Sequence, residues 1–225
     1  MHVAVNAAMS ADGKLATRQR EQLAISGPED FARVDELRAA HDAVMVGVGT
    51  VLSDDPSLTL DDASLSESRE DRGESPHPIR VVADSRARTP PDAAILDDAA
   101  PTYVLVSEAV PNEHVQSLSS AGATVVIAGE NRVDLAVGLE KLESHGVERL
   151  MVEGGGELIF SLFEADLVDE LTVFVGSMII GGRDAPTLAD GEGFTSAFPE
   201  LTLESAKSFG TGALLEYSVE SPTEG

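Results

Sequence analysis

Short β-branched runs alternate with longer amphipathic stretches along most of this chain. Apolar runs at 2–8, 43–48, 79–84, 102–106, 123–127, 148–152, 169–177, 200–206 and 213–219 predict strands. Apolar positions at helical spacing predict helices over Pro28–Ala40 and near 111–121, 134–144 and 156–167. The first of these is preceded by Ser26-x-x-Glu29, a capping-box pattern, and carries Phe31, Val34 and Leu37 on one face. Strands that alternate with helices imply a largely parallel sheet covered on both faces. The last three strands have no helix between them, which predicts an antiparallel C-terminal edge. The expected architecture is a single α/β domain over residues 1–225 with about nine strands. The polar segment 61–75 reads as an acidic exposed loop and 219–225 as a frayed tail.

Composition narrows the function. Lys and Arg number 15 against 40 Asp and Glu, a formal net charge of −25 over 225 residues. Such a surface repels polyanions, so neither nucleic acid nor an anionic membrane is expected as a partner. With 42% hydrophobic residues the chain is not an acidic disordered protein. Acid-rich, lysine-poor globular chains suit a high-salt cytosol, where screening relieves self-repulsion, so a halophilic, cytoplasmic enzyme is expected. There is no cysteine, which removes disulfides, thiol nucleophiles and cysteine-ligated metal. Histidines 2, 41, 77, 114 and 145 are scattered, and no metal site is expected. No apolar run is long enough to cross a bilayer.

Candidate chemistry gathers at strand ends. Glu153 is followed by Gly154, Gly155 and Gly156, then Glu157 and Leu158 open a helical pattern. Glycines between a strand and a helix let backbone N–H groups approach an anion at the helix N-terminus. The same spacing also describes a tight turn with no ligand. The run lacks the third glycine of the dinucleotide fingerprint. Lys14 follows the Asp12-Gly13 turn, where it faces either a cleft or solvent. Gly47-Val-Gly-Thr50 with Asp54 closes the second strand, on the edge where open α/β sheets bind ligands; the alternative is a helix capped at Ser53. Asp84-Ser85-Arg86-Ala-Arg88 closes the third, and paired arginines there hold a phosphate, such as a ribose 2′-phosphate, or form a surface ion cluster. Ile180-Gly-Gly-Arg183-Asp184 walls a pocket or turns the chain. No nucleophile elbow or Walker loop is present.

Taken in order, the motifs resemble the riboflavin-biosynthesis reductase family in its stand-alone form. They are Met9-Ser-x-Asp-Gly-Lys14, Arg38-x-x-x-Asp42 running into Gly47-x-Gly-Thr50-Val-Leu-x-Asp54-Asp-Pro-x-Leu58-Thr, Val82-x-Asp84-Ser85, Glu153-Gly-Gly-Gly and Leu167-Val-Asp-Glu-Leu171. The resemblance implies a dihydrofolate-reductase-like three-layer fold, a homodimer and NADPH as cofactor. The implied reaction reduces the ribosylamino side chain of 2,5-diamino-6-ribosylamino-4(3H)-pyrimidinone 5′-phosphate to ribitylamino. It also implies that Thr50, Asp54, Asp84, Ser85, Arg86, Gly154, Gly155, Gly156, Glu157 and Leu158 hold the cofactor. Arg38, Leu58, Glu153 and Gln22 would hold the phosphorylated pyrimidine, with Lys14 and Glu153 at the reacting centre. Gln22 stands where relatives carry a serine, so that contact departs from the family pattern. The deaminase motifs of the fused bacterial forms are absent, so reduction without deamination is implied. The alternatives are a pterin reductase of the same fold and a silent nucleotide-binding module.

Overall fold

The computed structural model describes residues 1–220. Nine strands form: β1 (His2–Ser10), β2 (Ala43–Gly47), β3 (Ile79–Ala83), β4 (Thr102–Val106), β5 (Thr124–Ile127), β6 (Arg149–Gly154), β7 (Glu170–Gly176), β8 (Leu201–Phe209) and β9 (Gly212–Val219). Six α-helices accompany them: α1 (Pro28–Ala40), α2 (Val48–Asp54), α3 (Ala63–Asp71), α4 (Asn112–Ser120), α5 (Leu135–Ser144) and α6 (Gly156–Glu164). The strand order is β5-β4-β3-β2-β6-β1-β7-β9-β8. The chain divides into two compact units, Met1 with Val34–Met151, and His2–Arg33 with the chain from Val152.

In the first unit β2, β3, β4 and β5 pair in parallel, Val46 opposite Val82, Val82 opposite Val104 and Val104 opposite Val125. Val44, Val46, Val82 and Val104 are almost fully buried. The near-continuous apolar runs of these strands are what a sheet covered on both faces requires. Val34 and Leu37 of α1 pack on this core as their spacing predicts, whereas Phe31, one turn earlier, is 55% exposed. The first amides of α1 bond to the Gly27 carbonyl, so the helix starts at Pro28 as predicted, but Gly27 and not Ser26 precedes it as cap.

In the second unit β1 pairs in parallel with β7, and β7, β9 and β8 form an antiparallel meander. This is the predicted C-terminal edge. Gly212 has no room for a side chain, because a Cβ there would meet the Val175 carbonyl and the Phe174 ring.

The segment 61–75 is mostly exposed, as its polarity suggests, but it is not all loop. It contains α3, capped by Asp62, which accepts from the Ser64 amide and hydroxyl. Asp35 of α1, 7% exposed, takes the Asp61 and Asp62 amides. Arg69 is 4% exposed and donates to the carbonyls of Ala39, His41 and Ser75. Arg72 also reaches the Ala39 carbonyl. Two arginines therefore satisfy carbonyls that the C-terminus of α1 leaves open. Hydrogen bonds hold this helix in place, and a hydropathy pattern does not display them. Within the predicted tail, Val219 closes β9, and 221–225 lie outside the described residues.

Candidate functional site

The second unit places two of the sequence motifs on one irregular segment. β1 continues to Ser10, and the chain then turns through Asp12 and Gly13 to Lys14, with Gly13 at φ 79°. The turn is closed by the Ser10 amide to the Lys14 carbonyl and the Gly13 amide to the Ser10 carbonyl, both 2.9 Å. Residues 177–190 carry no helix or strand and run against this turn. Lys14 pairs with Thr187 as an isolated bridge, and its Nζ donates to the Ala185 carbonyl at 3.2 Å. Lys14 is thus partly buried and held, not swinging in solvent. Asp12 accepts from the Ser10 hydroxyl and from the Ile180 and Gly181 amides. Those bonds hold its carboxyl down at about 2, the Ser10 hydroxyl contributing most.

The glycine run behaves as strand, turn and helix. β6 extends through Gly154, two residues past its predicted end, so partly buried Glu153 lies within the strand. Gly154 has φ 134°, and the Gly154–Gly155 peptide is cis. Gly155 is the N-cap of α6 and has no side chain to cap the helix; its carbonyl takes the Leu158 and Ile159 amides, as at any helix start. The first amides of α6 are therefore presented without a side-chain acceptor, the arrangement that receives an anion. Gly156 has a different reason to be glycine. A Cβ there would overlap the Thr187 carbonyl and sit 3.1 Å from the Asp190 carboxylate. The Asp190 amide bonds to the Gly156 carbonyl, and Asp190 itself takes the Thr187 amide. Leu158 is 7% exposed and belongs to the core face of α6, Glu157 is exposed on its first turn, and Gln22 is exposed.

Asn6, Asp30 and Arg33 form a polar cluster in the same unit that the motifs did not indicate. Arg33 donates to Asp30 and to the Asn6 side-chain oxygen, each at 2.8 Å. Asp30 is 3% exposed, so its charge is compensated by Arg33 and not by water.

In the first unit Gly47 ends β2 and residues 48–50 open helix α2. Gly47 is the N-cap of α2, with no side-chain capping bond. Thr50 and Asp54 are partly buried on this helix. Ser53 does not cap it: its hydroxyl donates back to the Thr50 carbonyl, 3.3 Å away. Asp55 ends α2 in the left-handed region, and its carboxylate takes the Ala94 amide. Leu58, at φ 53°, is 3% exposed and packed in the core, so what it can offer a ligand is backbone. Arg38, in the last turn of α1, donates to the Thr59 carbonyl at 3.1 Å.

Asp84 has no exposed surface, and its carboxylate takes the Thr89 amide and hydroxyl at 2.7 and 2.8 Å. It shapes the turn after β3, and Ser85, Arg86 and Arg88 are what that turn displays. The Ser85 hydroxyl accepts from the Val133 amide at 2.9 Å, tying this turn to the one after β5. The second turn is tight at Gly129, φ 87°, where a Cβ would overlap the Arg132 carbonyl. Arg132 therefore stands beside the 84–88 turn. Arg86, Arg88 and Arg132 are exposed, and among the described residues no carboxylate pairs with any of them. In a chain of charge −25, these three guanidiniums without a carboxylate partner lie on two joined turns and are groups that could hold an anion. Sequence reasoning stopped at Arg86 and Arg88. A basic residue in the turn that follows a parallel strand is the signal that would have added Arg132.

The chain as a whole is similar to known proteins. The RibD C-terminal domain family matches residues 1–215. The 2,5-diamino-6-ribosylamino-4(3H)-pyrimidinone 5′-phosphate reductase of Archaeoglobus fulgidus is 52% identical over 193 residues, 86% of this chain and 88% of that one. The enzyme of the same name from Methanothermobacter thermautotrophicus is 48% identical, covering 97% of this chain and 98% of its own. Among solved structures, a pyrimidine reductase-like protein from Corynebacterium diphtheriae superposes with a TM-score of 0.79 at 17% identity, over 97% of this chain and 92% of that one. That likeness carries the fold alone. By sequence, the chain belongs to the RibD C-terminal domain family, the reductase family of riboflavin biosynthesis.

Proposed function

We propose that this chain is an NADPH-dependent reductase that converts the ribosylamino side chain of 2,5-diamino-6-ribosylamino-4(3H)-pyrimidinone 5′-phosphate to ribitylamino. The observation that carries the reading lies in the first unit, where the joined turns bearing Arg86, Arg88 and Arg132 are suited to a phosphate-rich cofactor. In the second unit the uncapped first turn of α6 is by itself suited to an anion. The three guanidiniums suit a 2′-phosphomonoester, which supports NADPH over NADH. Thr50 and Asp54 on α2 offer a hydroxyl and a carboxylate to the same cofactor. When bound, the nicotinamide supplies the hydride that C1′ of the substrate receives once its ribose ring has opened to an imine.

The chain's own groups do the rest. Lys14 gives one N–H to the Ala185 carbonyl and keeps two for ribose hydroxyls. Glu153 offers a carboxylate to the amino edge of the pyrimidine, and Arg38 a guanidinium to its 5′-phosphate. Gln22 is exposed where a substrate hydroxyl contact is expected. A pterin reductase needs a carboxyl on the first helix that can exchange a proton with its substrate. Asp30 is tied to Arg33 and buried, which speaks against that reading.

A homodimer in a salt-rich cytoplasm completes the proposal. Edge strand β8 exposes Leu201 by 40% and Leu203 by 54%, with Phe198 just before it at 66%, and an apolar edge of this kind calls for cover. With a net charge of −25, association is expected to weaken as salt is removed. The direct test follows NADPH oxidation at high salt with the ribosylamino pyrimidine phosphate and with dihydrofolate in parallel. Turnover of the former alone is expected, and turnover of dihydrofolate alone would replace this function with the pterin reading. Glu153→Ala should depress turnover or substrate affinity far more than NADPH affinity.

A further inference from the structure

Two motifs remain unused by the proposed reaction: the Asp12-Gly13 turn, and the Ile180–Asp184 loop with its paired glycines. They meet at the Asp12 carboxylate. Oδ1 takes the Ser10 hydroxyl at 2.6 Å and the Ile180 amide at 3.0 Å, and Oδ2 takes the Gly181 amide at 2.7 Å. Only an acceptor with two oxygens and no hydrogen of its own can receive all three donors. The Ser10 hydroxyl in turn accepts from the Lys14 amide at 2.9 Å, so Asp12 and Lys14 share one hydrogen-bonded turn.

From Gly181 the strap bends back. Gly181 and Gly182 lie at φ 69° and 90°, conformations a side chain disfavours, and the Ala185 amide bonds to the Gly182 carbonyl. That bend aims the carbonyl of Ala185, a residue 3% exposed, at Lys14 Nζ. The Ala11 amide to Met178 and the Leu15 amide to Pro186 fasten the strap on either side, each at 2.9 Å. Farther along, the attachment to Gly156 runs through Asp190 and does not involve Asp12.

We propose that Asp12 is a positioning residue for Lys14: its carboxylate pins the 177–190 strap, and the pinned strap presents the Ala185 carbonyl that orients the Lys14 ammonium toward the substrate. The link to turnover rests on the role given to Lys14 above. The pinning itself does not, so the two are tested separately.

Amide exchange in the strap reads the pinning. In Asp12→Ala the Ile180 and Gly181 amides are expected to exchange about tenfold faster or more, because each loses a bond to a charged acceptor. Asp12→Asn, which keeps the volume and only part of the acceptor set, should fall between and covers the case in which Asp12→Ala does not fold. Unchanged exchange in the variants overturns the pinning. A double-variant cycle with Lys14→Ala reads the link to chemistry. Asp12→Ala should lower kcat about tenfold and leave the Kd for NADPH, measured by direct binding, within about twofold, since the Gly156 attachment is intact. Adding Asp12→Ala to Lys14→Ala should then cost nothing further. Losses that simply multiply overturn the positioning role, because a purely structural defect does not depend on whether Lys14 is present. If Lys14→Ala turns over normally while the strap of Asp12→Ala still exchanges fast, the link to turnover is overturned together with the role given to Lys14, and the pinning stands.

Discussion

Gly156 puts the geometry of the α6 N-terminus to a quantitative test. A Cβ at this position overlaps the Thr187 carbonyl and lies 3.1 Å from Asp190 Oδ2 and 3.2 Å from its Cγ. The obstacle is backbone, and that backbone is itself fixed by the Asp190 amide on the Gly156 carbonyl and by the Lys14–Thr187 bridge. Relief therefore requires the strap to move away from α6, with the loss of at least the 3.0 Å bond from Asp190. Forcing one methyl into such a contact costs about 1–3 kcal/mol. For a chain of this size about 2 kcal/mol corresponds to a fall in Tm of about 4–8 °C. Gly49 is the internal control. It lies in α2 with open space around its Cβ direction and no left-handed φ, so Gly49→Ala should raise stability by about 0.4–1 kcal/mol through the unfolded state. Thermal unfolding of the two variants at high salt gives both numbers. A Gly156→Ala protein with unchanged Tm would refute the close approach of strap and helix. So would equal shifts in the two variants.

Other outcomes follow from single groups. Arg69→Ala should destabilise the first unit by about 1–3 kcal/mol in denaturant unfolding, since it strips the His41 and Ser75 carbonyls of a partner while Arg72 stays on the Ala39 carbonyl and on Glu74; a loss under about 1 kcal/mol would remove Arg69 as the anchor of α3. Arg132→Ala should weaken NADPH about tenfold and leave NADH unchanged in equilibrium binding, as expected for one charge-assisted contact to a 2′-phosphate; equal losses for both cofactors would remove Arg132 from that site. The Asp12 carboxyl is lowered from 3.8 to about 2 in the folded protein. Its contribution is therefore fully present above pH 3.8 and is lost as pH falls toward 2, and strap amides corrected for intrinsic exchange should lose protection across that window. Constant protection from pH 5 to 2, both limits approximate, would contradict it.

Much of this protein is legible before any coordinates. Local order is written in side-chain period, so all nine strands and four of the helices fall close to where apolar spacing puts them. The antiparallel edge follows from the absence of a helix between β7, β8 and β9. Family membership was visible too, because motifs such as Glu153-Gly-Gly-Gly and Thr50-x-x-x-Asp54 concern strand ends and are contiguous in sequence.

What the sequence leaves open is which polar groups are spent on the fold. Asp84 and Ser85 are neighbours with the same apparent promise, yet one is buried under Thr89 and the other joins two turns. Leu58 looks like a ligand contact in a motif and is a core residue in space. The α3 segment has almost no apolar residues and is placed by Asp35 and Arg69 through backbone groups more than twenty residues away. Asp12 reaches amides 168 and 169 positions along the chain. Periodicity reports a residue's relation to its own element, whereas a hydrogen bond between distant segments depends on where the folded backbone brings its donors. Local pattern determined the elements and the family here, and long-range pairing of polar groups decided which residues remain available for chemistry.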